Sequence, residues 1–403
     1  MLQSLDNRIK EMELFNTRLS GLVLSALFLL LQVTPTMAGY SRFDKATFSV
    51  SMPCVAVVPS QPGADIQYRQ MTLAFHSGQF HVSSVTELDV AGECFASYDE
   101  ESGVLTDQLW HKDKIFDVTL VSVDGISFDL DGLDFREKSR TSLWRVSDGV
   151  NEVIIGGTIH ILHEDDFPLP EVYSTALSEA DILVTEISQE DFERGLEEAA
   201  PLLINPDGLL SDILMPASLG EMENYLAEFN YPLALVDPLR PYWAGQQLIQ
   251  LKLVSLGYGD GVDVFFQNEA AVLNKSNIGL ESVESQLALL NEINEEESAD
   301  EIIFSAIDAA ESDEYFDMLD FLIDSWREGD MEYFVFLNNQ QKLEDEISFE
   351  RVFIERNMAW IPQIENMFLT EEVELVLVGA GHLAGDDNVL ALLEELGYTV
   401  ERY

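Results

Sequence analysis

The sequence predicts an α/β domain, a mixed sheet flanked by helices, preceded by a small β-rich domain. Three observations predict it. Over residues 142–403, strand-forming runs alternate with long amphipathic segments, the pattern of a layered α/β fold rather than a sandwich. Over residues 39–141, apolar and polar residues alternate at period two and long helical patterns are absent. Four of the strand-like runs in the second region end in a residue able to bind a metal or move a proton. The chain has 403 residues, 47% of them hydrophobic, which suits two domains plus a targeting segment.

Residues 1–38 read as a signal peptide. Arg18 precedes an apolar run from Leu19 to about Val33, and small residues close it at Thr36-Met37-Ala38, with cleavage expected after Ala38. The stretch ahead is long and contains acids, so Met12 is a possible true start. An apolar run of about 15 residues is short for a span that needs roughly 20. Export to the periplasm or the exterior is therefore expected, with no membrane span left after cleavage; an uncleaved N-terminal anchor is the alternative. No cysteine stands at the end of the run or at the expected cleavage point, which excludes a lipoprotein.

In the region 39–141, "ATFSVSM", "QMTLAFHSG", "QFHVSSVTEL", "KIFDVTLVSVDG" and "ISFDLDGLDF" are short strands separated by glycine and aspartate turns, which suggests a curled sheet or small barrel. Its two cysteines, Cys54 and Cys94, are the only ones in the chain, and in an oxidising compartment such a pair reads as a structural disulfide. Two buried free thiols are the cytoplasmic alternative. His76, His81 and His111 also fall here; His76 and His81 could share a hairpin, but no site is assigned to this domain.

The second region opens with the strand "SLWRVSDG", followed by the strand "EVIIGGTIH" and a helix over Pro170–Ala180. "DILVTEIS" is a buried strand. Helices are expected over about Glu190–Leu203 and Leu219–Phe229, in "PLRPYWAGQQLIQLKLVSLG", closed by Gly257, and in "GVDVFFQNEAAVLN". The strand "KSNIGLES" and helices over about Ser285–Glu292, Asp300–Glu328 and Met331–Ile364 follow. A last strand "VELVLVGAGH", a helix "DDNVLALLEELG" and a short strand "YTVERY" end the chain.

Charge narrows the partners. With 74 acidic and 21 basic residues the formal charge is −53. Nucleic-acid phosphates and anionic lipid surfaces would be repelled. Acid runs such as "NEINEEESADE" are solvated faces, and a uniformly acidic surface suits a salt-rich setting.

The four strand ends are His160, Glu186, Glu281 and His382. Functional groups gather beyond the carboxyl ends of the strands in open α/β sheets, so neighbouring parallel strands would bring all four to one pocket, the two GxxH copies forming its opposite walls. Gly157 and Gly379 mark sharp turns where small residues leave room near the backbone. Imidazole with carboxylate favours zinc, manganese, iron or cobalt over calcium. The competing explanation is that each histidine is a satisfied buried residue at a strand end. His163 could add a ligand but belongs better to the exposed loop "HEDDFPLP". Arg356 and Asn357, inside a helical run, could hold an oxyanion or form a surface ion pair. GxSxG, HExxH, the P-loop and GxGxxG are all absent.

The blocks "LWRVSDG…IIGGTIHIL…DFPLP…ADILVTEIS", "GVDVFFQNEA…NIGLESVESQLALL", "ERNMAW" and "VLVGAGHLAGDDNVLALLEELGYTVERY", in that order, resemble the TraB/GumN family, which is also grouped with the Tiki metalloproteases. The similarity runs over roughly Leu143–Tyr403 and leaves the β-rich domain outside it. It implies a Tiki/ChaN-like fold of the erythromycin-esterase superfamily and a metal-dependent site at His160, Glu186 and His382. Glu281, Arg356 and Asn357 would be supporting residues, and Asp263 matches a family aspartate. Gly156 is a departure, since many relatives carry a larger residue there.

Together these readings lead to the expectation of a divalent-metal-dependent hydrolase acting on a peptide or protein substrate. His160 and His382 would bind one ion (manganese, cobalt, zinc or iron) with Glu186 or Glu281. The other glutamate would serve as general base, and Arg356 with Asn357 would steady the oxyanion. The alternative is a haem- or peptide-binding protein without turnover. Metal identity, substrate and oligomeric state are not encoded in any motif.

Overall fold

The protein is described from a computed structural model. It covers residues 41–44, 49–61, 63–64, 66–88, 94, 96–111, 114–123, 126–136, 141–295 and 297–403. The expected signal peptide and Met12 lie outside the described residues. Two compact units are present, one built from Thr141–Leu319 and Gln341–Tyr403, the other from the described part of Val33–Arg140 together with Asp320–Gln340.

The period-two region forms eight strands: β1 (Ser41–Asp44), β2 (Ser49–Val58), β3 (Gln67–His76), β4 (Gln79–Leu88), β5 (Ala96–Asp99), β6 (Val104–His111), β7 (Lys114–Ser122) and β8 (Ser127–Arg136). They follow the order β1-β2-β3-β4-β8-β7-β6-β5, and β1–β6 and β2–β5 pairings join the ends into a barrel-like sheet. Val50, Met52, Val55, Val57, Leu73, Leu105 and Phe128 fill its interior, as alternation requires. Cys54 and Cys94 are bonded. His81 is used locally, Nδ1 lying 3.0 Å from Ser127 Oγ and Nε2 3.2 Å from the His76 carbonyl.

The α/β unit carries a six-stranded sheet. Its strands are β9 (Leu143–Ser147), β10 (Glu152–Thr158), β12 (Ile182–Thr185), β14 (Ser276–Gly279), β15 (Glu374–Gly379) and β16 (Thr399–Arg402), while β11 (Ile161–His163) and β13 (Tyr258–Asp260) form a separate ribbon. The order is β14-β12-β15-β10-β9-β16. The four strands β14, β12, β15 and β10 are parallel, whereas β9 runs antiparallel to both its neighbours. All six residues of β15 are buried, as are all of β10 after Glu152, and between Glu374 or Glu152 and the strand ends the sequence is nearly all apolar or glycine.

Most expected helices are present, and two expected long ones are divided. The run from Asp300 becomes Ala299–Glu311 and Asp313–Arg327, because Ser312 leaves the helical region and its Oγ accepts from Tyr315 N. The run from Met331 breaks at Asp345, whose side chain caps a new start at Ser348 N. The apolar period continues through both breaks, so periodicity alone merged segments that Ser and Asp caps separate. A π turn, Glu350–Ile354, then leads into the helix Glu355–Met367. Gly257 closes the helix Pro241–Ser255 at φ 96°, as expected of a left-handed glycine stop.

Candidate active site

Parallel alignment of β14, β12, β15 and β10 places their carboxyl ends on one edge, and Glu281, Glu186, His382 and His160 follow those ends. The two GxxH strands are direct neighbours, with Thr158 opposite Gly379, so their histidines stand side by side rather than on opposite walls. The two motifs are also offset by one residue and differ locally. His160 follows β10 in a bend, whereas His382 sits on a single 3₁₀ turn, Ala380–Leu383. Gly157 and Gly379 have different duties. A Cβ on Gly157 would press against Ala380 at 3.1 Å, whereas one on Gly379 would lie 3.2 Å from His160 Nε2, 3.3 Å from Glu186 Oε1 and 3.7 Å from His382 Cδ2. Gly379 is thus the floor on which three candidate ligands meet.

His160 is oriented from behind. Its Nδ1 lies 2.7 Å from Asp263 Oδ2, and Thr158 Oγ1 donates to the other Asp263 oxygen at 2.8 Å. The β11–β13 ribbon makes this pairing possible by returning the chain beside His160, with Ile161 opposite Asp260 and Val262 N bonded to the Ile159 carbonyl at 2.8 Å. Gly261 sits at the contact, where any Cβ would run into the His160 carbonyl carbon and the Ile159 oxygen. Burial opposes charging His160, but the carboxylates of Asp263 and Glu186 outweigh it and hold its pKa up at about 9.

His382 is buried, with its ring centroid 4.9 Å from that of Phe353 and 4.5 Å from that of Trp360. Its Nδ1–H donates to Asn357 Oδ1 at 2.7 Å, which leaves the Nε2 lone pair pointing inward. Burial and then the Arg356 charge push its pKa down to about 3, so the ring is neutral. Glu186 accepts from Gly379 N at 2.8 Å on Oε1, and from Gln286 Nε2 at 3.2 Å and Arg356 Nη2 at 2.6 Å on Oε2. Burial raises the carboxyl pKa, yet Arg356 and both histidines more than reverse this and hold it far below the ordinary range.

Arg356, 7% exposed, is the hub. Nε donates to Glu281 Oε1 at 2.9 Å, and Nη1 reaches the Val352 carbonyl at 3.2 Å and His382 Nε2 at 3.0 Å. Nη2 meets Glu186 and lies 2.8 Å from Glu281 Oε1. Four of its N–H groups therefore donate to a named acceptor, and Nη2 also forms an ion pair with Glu281, so the guanidinium is tied to its neighbours as the side chains stand. Asn357 is likewise engaged, with Oδ1 on His382 and Nδ2 donating to the Asp387 carbonyl at 3.0 Å. His163 is a tie for the loop: Nε2–H donates to the Leu256 carbonyl at 2.9 Å and Nδ1 accepts from Asp165 N.

The donor set suits a divalent transition metal in chemistry. Two imidazoles have Nδ1 anchored by Asp263 and Asn357, and a buried carboxylate lies between them. As the side chains stand, Arg356 takes the His382 lone pair, and among the described residues no three His, Cys, Asp or Glu side chains are grouped as a ready-made cage. Sequence reasoning reached Asp263 only through resemblance, and missed Thr158, Gly261 and Gln286. The glycines of "GDGVD" were the one available signal for the close approach at Gly261.

Gly156, the departure noted above, packs against the sheet's own side chains, since a Cβ there would run into Leu143 and lie 2.8 Å from Leu377 Cδ2. A larger residue at this position would need smaller partners on β9 and β15. The sequence model of the TraB/PrgY/gumN family matches residues 142–402, the whole stretch that builds the six-stranded sheet and every residue of the site. No curated protein matches the chain.

Proposed function

This chain belongs to the TraB/PrgY/gumN family, and from that premise we propose that it is an exported, divalent-metal-dependent hydrolase of peptide bonds. The observation that carries the proposal is the meeting of His160 Nε2, Glu186 Oε1 and the His382 ring over Gly379. His160, Glu186 and His382 would hold a zinc, manganese, cobalt or iron ion. Such an ion, when bound, supplies Lewis acidity toward a carbonyl and lowers the pKa of a water.

The chain's own residues prepare that chemistry. Asp263 holds the His160 Nδ1 proton, so that an ion would displace only the proton on Nε2, and Asn357 holds the Nδ1 proton of neutral His382; each Nε2 faces the pocket. Gly379 N and Gln286 hold Glu186 against rotation. Glu281, expected as an alternative ligand or as the base, is committed to Arg356. Arg356 spaces the two glutamates and His382, an ordering role beside the oxyanion role its sequence context suggested. The Cys54–Cys94 bond supports an oxidising compartment and hence export. No observation favours haem, since His382 turns Nε2 to Arg356 and packs between Phe353 and Trp360.

The test pairs metal analysis of the full chain with cleavage of a quenched fluorescent peptide pool, for the wild type and the double variant His160→Ala/His382→Ala. About one ion per chain and metal-dependent cleavage, both lost in the variant, are expected. Full cleavage by the variant would sink the proposal. Metal without cleavage of any peptide would move the function to binding.

A further inference from the structure

A neutral imidazole has one acceptor lone pair, and that of His382 is spent on Arg356 Nη1 at 3.0 Å because its other nitrogen donates to Asn357. The same guanidinium lies 2.6 Å from Glu186 Oε2. Two of the three candidate ligands are thus held by a cation that the chain itself supplies. A lone pair cannot serve an N–H and a metal ion together. Yet Arg356 has a second anchorage outside His160, Glu186 and His382, because Glu281 accepts from its Nε and forms an ion pair with its Nη2, and the Val352 carbonyl of the π turn accepts from Nη1.

The buried charges make the arrangement necessary. Glu186 is 4% and Asp263 7% exposed, and the Glu281 side chain is 13% exposed, so three carboxylates share a water-poor pocket. An uncompensated buried carboxylate is strongly unfavourable. Asp263 is paired with His160, whereas Glu186 and Glu281 share the guanidinium as their common cation; a divalent ion beside Glu186 would take over its place between Glu186 and His382.

We infer that Arg356 is a resident counter-ion that keeps the ligands in order before a divalent ion binds and releases His382 to admit it, while Glu281 retains the guanidinium throughout. This rests on the metal-dependent reading of the site. Arg356 is then a positioning residue that competes with the ion, and Glu281 is its holder rather than a ligand or a base. The sequence context "ERNMAW" carries no sign of the competition, since it depends on which acceptors surround the guanidinium.

Calorimetric titration of the full chain with Mn²⁺ and with Zn²⁺ tests the inference, using the wild type, Arg356→Gln and Glu281→Gln, each checked for native circular dichroism. Removing the competitor should tighten ion binding about tenfold or more, because a charge-assisted buried hydrogen bond no longer has to break. Removing its holder should weaken binding about tenfold or more, as loss of an outer partner does. A second readout needs no ion: in metal-free Arg356→Gln, the ¹⁵N shift of His382 Nε2 should move toward that of an unbonded lone pair. A folded Arg356→Gln that binds no tighter than wild type overturns the inference and leaves the metal reading standing. Failure of every form to bind either ion overturns both. If Arg356→Gln does not fold, unchanged affinity in Glu281→Gln overturns it.

Discussion

At the scale of single residues, the site is a set of oriented rings and carboxylates around one glycine. His160 and His382 have similar motifs but opposite electrostatics: two carboxylates favour charge on the first, while burial and Arg356 keep the second neutral. A different carboxylate stands out at the other end of the same strand. Glu374 opens β15, is 5% exposed, and its Oε2 has no hydrogen-bond partner. Burial, helped by Glu372 and Asp181, pushes its pKa up to about 7. A carboxyl whose folded pKa lies above its unfolded value contributes stability that is complete below the unfolded pKa of 4.5 and is lost as pH rises through about 7. Glu374→Gln should therefore raise stability at pH 8 by about 1–3 kcal/mol and change it little at pH 4, as chemical denaturation at the two pH values would read. An equal effect at both would contradict the assignment.

At the scale of elements, three short features set the site's precision: the β11–β13 ribbon, the 3₁₀ turn carrying His382 and the π turn before Arg356. Single-turn π insertions in α-helices recur at functional sites, and here the turn supplies the Val352 carbonyl that Arg356 uses. The ribbon is the most exposed to substitution, because Gly261 touches the backbone at Ile159 and His160, not a flexible side chain. Gly261→Ala should cost on the order of 2–4 kcal/mol and detach Asp263 from His160, lowering both the melting temperature and metal affinity. A variant with unchanged stability would show that the ribbon can shift without loss.

At the scale of the molecule, charge dominates. A formal −53 on 403 residues is self-repelling in the compact state. Screening shortens from roughly 30 Å at 0.01 M salt to roughly 3 Å at 1 M. The melting temperature should rise steadily over that range, and scanning calorimetry in sodium chloride would check it. A flat or falling response would mean that the acidic residues are already compensated. The bonded Cys54–Cys94 pair and the absence, among the described residues, of a helix long and apolar enough to cross a membrane complete this picture of the described chain.

The sequence by itself determined the alternation of strands and helices, the period-two region that closes into a barrel-like sheet, the cysteine pair, and the identity of His160, Glu186, Glu281 and His382 as strand-end residues. These were legible because they depend on local pattern: period two, period 3.6, glycine stops and a polar residue after an apolar run. Only the tertiary structure decided that β15 inserts between β10 and β12, so that histidines 222 positions apart become side-by-side neighbours. It alone decided that Asp263 stands behind His160, that Gln286 steadies Glu186, and that Arg356 bonds acceptors drawn from four segments. Strand order and hydrogen-bond partners are set by contacts between distant segments, which compete for the same donors and acceptors, and no local pattern records which of them wins.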